Sequence, residues 1–313
     1  MPQTVQGDLS KDIAAGIAVT SIIFAGSIYL PILGIFCTLF IPLPILYYRS
    51  KLGRANGVIV PGVAVFIMIV MLGGLSIGAL FFIELLLLGF VLSELIELDL
   101  SIEKTLIFAC STILGTGIVV IFLYGNISDT KIVDIVSEYV EKVLETTMSL
   151  YEKRGASEES LYVVSNSLDN IHFYLLRIIP SLVVVQTIFV AWTNLLLARP
   201  MLKAKSLFYP DFGSLNVWKA PEFLIWCVIG SGLMLFLPDR TFKVIGLNGL
   251  IVLMTIYFFQ GISIVSYYFE KKRIPAFLKV FFYCLIAVQQ VILLLVIGIG
   301  FFDVWLNFRK LQT

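Results

Sequence analysis

Two charged side chains stand inside long apolar stretches of the sequence. Glu84 lies in FFIELLLLG and Arg177 lies in YLLRIIPS. A charge at the centre of a membrane-spanning helix costs roughly 2.5 to 3.5 kcal/mol on insertion scales, so it needs a partner or a polar cavity. We expect both side chains to face inward. The sequence leaves open whether they form a structural ion pair or contact a ligand together.

Neutral amides add further polar groups to the apolar stretches. Such side chains form interhelical hydrogen bonds more often than they contact a ligand. Taken together, they favour an uncharged or zwitterionic solute over a proton relay, which needs several acids or histidines along one path. The candidate ligand-contacting residues are Glu84, Arg177, Gln186, Asn248, Gln260 and Gln289.

Most residue patterns that support catalysis are missing from the chain. It has one histidine, His172, which excludes His-based metal sites and Ser-His-Asp triads within a single chain. Glycine-rich nucleotide motifs and the GxSxG motif are absent as well. The four cysteines lie far apart within apolar runs, which favours a packing role. We expect a protein that is not an enzyme and that holds no metal or cofactor.

The composition indicates a membrane protein. Of the 313 residues, 59% are apolar and only 14% are charged, and the mean hydropathy is +0.99. These values lie far outside the range of water-soluble domains. A net charge of +1 without a long basic stripe excludes nucleic acid as a partner. We predict an all-α polytopic transmembrane bundle that contacts membrane lipid.

Nine apolar runs are long enough to be candidate spans. The boundaries at Tyr29–Pro31 and Gly73–Gly74 rest mainly on run length, so a broken or re-entrant helix is the alternative there. We therefore predict eight or nine spans. The runs are 11–29, 31–48, 58–73, 76–98, 104–124, 174–198, 221–237, 244–267 and 276–302.

Lysine and arginine gather in three loops, at 49–54, 199–219 and 271–279. The positive-inside rule puts these loops, and with them the amino terminus, in the cytoplasm. Nine spans then leave Arg309 and Lys310 outside, against the rule. Either the last apolar run doubles back or an early pair of spans is miscounted.

Residues 126–170 form the one sizeable segment between spans. Apolar residues recur there at helical spacing from Ile132 to Tyr151, with acids between them, the pattern of an amphipathic helix. Because acids outnumber bases, its polar face repels anionic headgroups, and packing over the outer mouth of the bundle is favoured. We predict a single membrane domain, 1–313, with an extracytoplasmic helical insertion at 126–170.

Small residues at four-residue spacing suit close helix packing, although the spacing is also common by chance. Ala14 and Ala18 lie on the first run, and Gly74 and Gly78 lie at the start of the fourth. We expect each pair to contact a neighbouring helix.

Three stretches of the carboxyl half are more specific: SLNVWKAPEFLIW, YFFQGISIVSYYFEKKRIP and GIGFFDVWLNFRK. Together with YLPILGIFCTLFIPLPILYYRSKLG near the amino terminus, they resemble the YybS-like family of bacterial multi-spanning membrane proteins, a domain of unknown function. The residues that carry the resemblance are Trp218, Pro221, Gln260, Gly261, Asp303, Trp305 and Arg309.

That family is distantly akin to the S components of energy-coupling-factor transporters and to the rod-shape protein MreD. The first kinship implies a vitamin-sized solute and a membrane-protein partner docked through small residues of the first helix, a position that Ala14 and Ala18 match. The second implies a scaffold without a transported ligand. The extra spans and the 126–170 insertion depart from the S-component pattern, which puts substrate binding in doubt.

The resemblance places the protein in the bacterial inner membrane. Our leading hypothesis is a solute-binding or transport-associated protein whose outward cavity includes Glu84 and Arg177. A non-transporting scaffold of the cell envelope is the alternative. An intramembrane enzyme acting on lipid ranks third, because the sequence predicts no nucleophile or metal near Glu84.

Overall fold

The computed structural model describes residues 8–30, 33–128, 132–153 and 158–310. These residues form twelve α-helices and one short 3-10 helix, Leu215–Val217, and none of them lies in a β-strand. The predicted all-α class is confirmed. The helices are α1 (Leu9–Tyr29), α2 (Leu33–Phe40), α3 (Pro42–Gly57), α4 (Ile59–Met71), α5 (Ile77–Glu97), α6 (Ile102–Ser128), α7 (Ile132–Lys153), α8 (Glu158–Ala204), α9 (Leu224–Met234), α10 (Arg240–Lys271), α11 (Ala276–Val288) and α12 (Gln290–Leu306).

Within the described residues, five helices are long and apolar enough to cross a membrane by themselves: α1, α5, α6, α8 and α10. Two further pairs qualify only jointly and are sharply bent, by 98° at the end of α3 and by 101° between α11 and α12. The candidate spans therefore number five to seven, below the predicted eight or nine. At 11 residues, α9 extends about 16 Å, too short for a hydrocarbon core of about 30 Å.

Helix α3 also contains a kink of its own, at Gly53, ahead of the 98° bend. Gly53 has a φ of +76°, a conformation that side chains other than glycine rarely adopt. The chain turns there, and Gly57 then packs against the backbone of Arg49. The predicted spans 31–48 and 58–73 thus belong to one bent arrangement.

The helices form two compact units. Unit 1 comprises Met1–Thr130 and Gln186–Phe212, and unit 2 comprises Lys131–Val185 and Gly213–Thr313. The 47-residue α8 contributes to both. That the whole chain makes a single membrane domain stays a prediction.

In unit 1, α3 packs against α5, and α1 packs against α2, α3 and α4. The most deeply buried apolar side chains of this core are Ile45 and Leu46 of α3 and Leu92 and Ile96 of α5. They lie on facing stripes of the two helices, as ridge-and-groove packing requires.

In unit 2, α10 packs against both α9 and α12. Tyr257 is fully buried at this contact, with its ring 5.3 Å from that of Phe301. The first residue of α10 follows a capping aspartate, Asp239, whose carboxylate accepts a hydrogen bond from the Thr241 N–H. That hydrogen bond holds the pKa of Asp239 below its usual range.

The insertion predicted at 126–170 is helical wherever the structure describes it. Its parts are the end of α6, the amphipathic α7 and the beginning of α8. Residues 129–131 and 154–157 of this segment lie outside the described residues. The predicted packing over the mouth of the bundle stays a prediction.

The last two helices leave and return at the same end of α10. Helix α11 packs beside the end of α10, where the ring of Phe269 lies 5.5 Å from that of Tyr283. The Tyr268 hydroxyl donates to the Phe308 carbonyl oxygen over 2.7 Å, just after α12. Both ends of this run therefore lie beside the end of α10, as in the alternative of a run that doubles back, and the single crossing over 276–302 stays a prediction.

Candidate functional site

A buried ion pair closes the carboxyl end of unit 2. Asp303 lies in the last turn of α12 and Arg309 follows that helix. Arg309 Nη2 donates to Asp303 Oδ2 over 2.9 Å, and neither side chain is exposed. Asn307 ends α12 in the left-handed conformation, with a φ of 41°. The Phe308 N–H then donates to Asp303 Oδ1 over 2.8 Å, so the turn brings Arg309 back onto the helix that precedes it.

The other half of the Arg309 guanidinium binds the segment that leads into α9. Its Nη1 donates to the carbonyl oxygens of Asn216 and Trp218, each over 3.0 Å, and to Ser263 Oγ over 2.9 Å. Ser263 Oγ donates in turn to the Trp218 carbonyl oxygen. A planar guanidinium with several fixed donors suits this task. One side chain thus joins the 216–218 segment, α10 and the end of α12.

Gln260 of α10 completes the network. Its Oε1 accepts from the Ala220 N–H over 3.1 Å, and its Nε2 donates to Asp303 Oδ2 over 3.2 Å. The side chain is 1% exposed. Sequence analysis placed Gln260 among the candidate ligand contacts, but both halves of its amide are engaged within the protein.

Two glycines allow α10 and α12 to approach closely beside this network. A Cβ atom on Gly261 would overlap the Val296 carbonyl oxygen, and one on Gly300 would overlap the Tyr257 carbonyl oxygen. Small residues bring helix backbones together in this way. The contact places Gln260 within reach of Asp303.

This arrangement is suited to holding structure in place. The pair cancels its own charge, and its attraction is offset by the cost of taking both groups out of water, so it specifies an arrangement more than it stabilises. We call the network of Gln260, Ser263, Asp303 and Arg309 with the 216–220 backbone the carboxyl clamp.

Most residues that carry the family resemblance meet at the carboxyl clamp. Trp218 contributes its carbonyl oxygen, and Pro221 follows Ala220 directly. Trp305 lies outside the network: it is 57% exposed, and its ring is 5.3 Å from that of Phe301. The resemblance residues in or beside the clamp are Trp218, Pro221, Gln260, Gly261, Asp303 and Arg309.

Glu84 and Arg177 lie in different units. Glu84 of α5 stands against α6, where a Cβ on Gly117 would be 2.6 Å from its Oε1. Arg177 of α8 is exposed, and its guanidinium carbon lies 3.6 Å from the centroid of the Phe173 ring. The predicted pairing of Glu84 with Arg177 stays a prediction.

The remaining candidate ligand contacts differ in their surroundings. Asn248 of α10 forms hydrogen bonds with the backbone of α8 at Arg177 and Ser181. Gln186 and Gln289 are exposed on their units. A ligand role for these residues stays a prediction.

The small-residue pairs lie on exposed or half-buried surface of their unit. Ala14 and Ala18 are exposed, and the buried face of α1 carries Gly16, Thr20 and Phe24. Contact of Ala14 and Ala18 with a neighbouring helix or a partner protein stays a prediction. On the fourth run, Gly74 lies in the turn before α5 and Gly78 is exposed, with a side-chain oxygen of Ser76 near it.

Arg49 is a second buried cation, and its burial is not predicted from the sequence. Arg49 was assigned to a cytoplasmic loop, whereas it lies fully buried on α3 and forms ion pairs with Glu94 and Glu97 of α5. Nearby, Lys51 Nζ lies 2.6 Å from Asp12 Oδ1 of α1. The available signal was the spacing of Glu94 and Glu97, which puts both carboxylates on one helical face.

An open groove of about 500 Å³ lies between α7 and α8 in unit 2. Its volume falls within the range of small-molecule sites. His172 Nε2 lies 3.1 Å from Ser137 Oγ and 3.9 Å from Glu141 Oε1. Among the residues described, no group of His, Cys, Asp or Glu is suited to hold a metal ion. The groove is lined by Glu141, Leu144, Glu145, Met148, Ser149, Glu152, Leu168, Asp169 and His172.

Comparison with known proteins agrees with the resemblance to the YybS-like family. The family described as "Predicted membrane protein (DUF2232)" matches residues 18–304. "Uncharacterized protein YybS" of Bacillus subtilis (strain 168) is 22% identical over 290 residues, covering 90% of this chain and 91% of that protein. No solved structure matches the chain. Since the family match spans most of its length, the chain belongs to the DUF2232 family of predicted membrane proteins and is integral to a membrane.

Proposed function

We propose that the protein is a solute-binding, transport-associated protein of the bacterial inner membrane. The observation that carries this proposal is the groove between α7 and α8, whose volume of about 500 Å³ is sufficient for a small molecule. The groove is built from the insertion that the sequence predicts to be extracytoplasmic. A solute would therefore be collected from outside.

The lining favours a solute that carries a positive charge. Four carboxylates, those of Glu141, Glu145, Glu152 and Asp169, border the groove together with apolar side chains. An ammonium group forms charge-assisted hydrogen bonds with carboxylates, and an apolar body fits beside Leu144 and Met148. The sequence favours an uncharged or zwitterionic solute, and within this proposal the carboxylates of the groove favour a zwitterion or an organic cation.

The proposed role is non-enzymatic and needs no cofactor. The single histidine of the chain, which leaves out histidine-based catalytic triads, supports the non-enzymatic part of this proposal. The cytoplasmic position of the amino terminus rests on the distribution of lysine and arginine. A membrane-protein partner at the exposed Ala14 and Ala18 follows from the resemblance to S components.

Mass spectrometry of small molecules that co-purify with the protein is the first experiment. We expect an amine-bearing compound that is retained by the unmodified protein and lost from a variant carrying Glu141→Gln, Glu145→Gln and Asp169→Asn. Affinity of the identified compound should fall at least tenfold in that variant, because three of four favourable charges are removed.

The matched control is Glu138→Gln, since Glu138 is exposed on α7 but does not line the groove. It should leave the affinity unchanged. If Glu138→Gln weakened binding as much as the groove variant, general negative charge would be responsible, and the groove would lose its role.

A non-transporting scaffold of the cell envelope is the second candidate. It is favoured by the carboxyl clamp, in which side chains fill the space between helices, and by the small cavity of about 10 Å³ beside Thr20 and Met68 in unit 1, which holds about one water molecule. If the protein is a scaffold, we expect another membrane protein to co-purify stably with it and no small molecule to be retained.

A further inference from the structure

We infer that the end of unit 2 where the chain terminates is a binding surface for anionic lipid headgroups. Six cationic side chains lie at this end, which we call the basic end. This inference is independent of the solute proposed for the α7–α8 groove. The cations are Lys219, Lys271, Lys272, Arg273, Lys279 and Lys310.

Contacts within unit 2 bring these separate parts of the chain together. The carboxyl clamp ties the segment before Lys219 to the residue that precedes Lys310, through the bonds from Arg309 to the Asn216 and Trp218 carbonyl oxygens. The hydrogen bond from Tyr268 to the Phe308 carbonyl oxygen sets both beside the end of α10. Residues 271–273 follow immediately in the chain.

The doubling back of α11 and α12 adds Lys310 to the basic end. The pair bends by 101° at Gln289, starts beside Phe269 and finishes beside Tyr268. Lys310 therefore lies at the same membrane face as Lys271. A single crossing would have sent it to the opposite leaflet.

Few carboxylates oppose this charge. The negative charge of Asp303 is neutralised by its ion pair with Arg309 inside the carboxyl clamp. Glu270 accepts a hydrogen bond from Asn216 Nδ2, and Glu222 is exposed. Five of the six cations are exposed, Lys279 being half-buried. A net positive, solvent-facing patch remains.

Exposed aromatic rings at the same end place it at the level of the headgroups. Phe223 and Trp226, at the start of α9, are 63% and 73% exposed, and Trp305, at the end of α12, is 57% exposed. Tryptophan is enriched where a membrane protein meets the headgroup region. Clustered lysines and arginines beside such rings are complementary to anionic lipids.

Thermal unfolding of the purified full-length protein in mild detergent tests the inference. Added phosphatidylglycerol should raise the Tm by about 2 to 5 °C more than the same amount of phosphatidylcholine does. The difference should shrink as salt rises, since exposed charges are screened. Native mass spectrometry should find phosphatidylglycerol retained in preference to phosphatidylcholine.

The test variant combines Lys271→Gln, Lys272→Gln and Arg273→Gln, and Lys310→Gln is a milder second variant outside any helix. The first should abolish the preference for phosphatidylglycerol, and the second should reduce it. The matched control replaces three exposed cations elsewhere in unit 2, Lys142, Lys153 and Arg240, with glutamine. It should keep the full preference.

Three results would overturn the inference. The first is equal stabilisation by phosphatidylglycerol and phosphatidylcholine. The second is an equal loss of preference in the control variant, which would mean that total charge decides. The third is stabilisation of the same size by inorganic phosphate at matched concentration, which would make the patch a site for a soluble anion.

Discussion

The side-chain amide of Asn248 bridges two backbone groups of α8 beside Ser181. Its Oδ1 accepts from the Ser181 N–H over 3.2 Å, and its Nδ2 donates to the Arg177 carbonyl oxygen over 2.9 Å. Residues 177 and 181 are four apart, so these are the groups that an α-helix joins directly. Pro180, next to Ser181, lacks an N–H and crowds the preceding turn. The amide of α10 thus supports α8 where proline disturbs it.

Replacing Asn248 with leucine should destabilise unit 2. Leucine has a similar size but leaves the part-buried Ser181 N–H without its side-chain partner, and a lost hydrogen bond costs about 0.5 to 1.5 kcal/mol. The free energy of unfolding, measured in detergent with a chemical denaturant, reports the loss. Thr255→Val is the control on the same helix, because the Thr255 hydroxyl bonds only within α10, to the Ile251 carbonyl oxygen. An equal loss in both variants would contradict the bridging role.

Replacing only one residue of the Asp303–Arg309 pair should lower the free energy of unfolding strongly. Asp303→Leu alone or Arg309→Met alone leaves one buried charge without its partner, and each should cost about 3 to 5 kcal/mol. The double variant should cost clearly less than the sum of the two single changes, since no buried charge remains.

Unfolding free energies for the four proteins of this cycle provide the measurement. Lys310→Gln is the control, because this neighbouring cation is exposed and makes no part of the clamp. It should change stability by less than about 0.5 kcal/mol. Strict additivity of the two single changes would show that Asp303 and Arg309 are not coupled.

Enlarging Gly300 should separate α10 from α12. A methyl group in Gly300→Ala would overlap the Tyr257 carbonyl oxygen, so the helices must move apart, at about 1 to 3 kcal/mol. Gly298 of the same helix has open space around its position. Gly298→Ala should therefore be neutral or stabilise by up to about 1 kcal/mol through its helix propensity. An equal fall of the melting temperature in the Gly300→Ala and Gly298→Ala variants would contradict the close-contact explanation.

The carboxyl terminus should share a membrane face with the loop after α10. In a background where Cys37, Cys110, Cys227 and Cys284 are replaced, single cysteines at positions 273 and 310 should react with a membrane-impermeant thiol reagent from the same side. Sealed vesicles of both orientations supply the measurement. Labelling from opposite sides would show that α11 and α12 together cross the membrane.

Much of the fold was readable from the amino-acid sequence. Membrane integration and the all-α class follow from the composition. Apolar runs mark α1, α5, α6 and α10 with small errors at their ends, whereas α8 begins well before the run predicted at 174–198. Hydropathy and helical periodicity are sums over neighbouring residues, so the order of residues suffices to reveal them. The same holds for the amphipathic pattern of α7.

Which charged side chains are buried, and which partners they contact, was determined by the tertiary structure alone. The sequence pattern indicates that Arg49 and Arg309 are loop cations, but both are buried beside carboxylates. Arg49 pairs with Glu94 on another helix, and Arg309 pairs with Asp303 across the left-handed turn that ends α12. Likewise, α1 buries Gly16, Thr20 and Phe24, and α11 and α12 are bent by 101° at Gln289. Burial and bends depend on which distant groups meet and satisfy one another's charges and hydrogen bonds, and no local window of sequence contains that information.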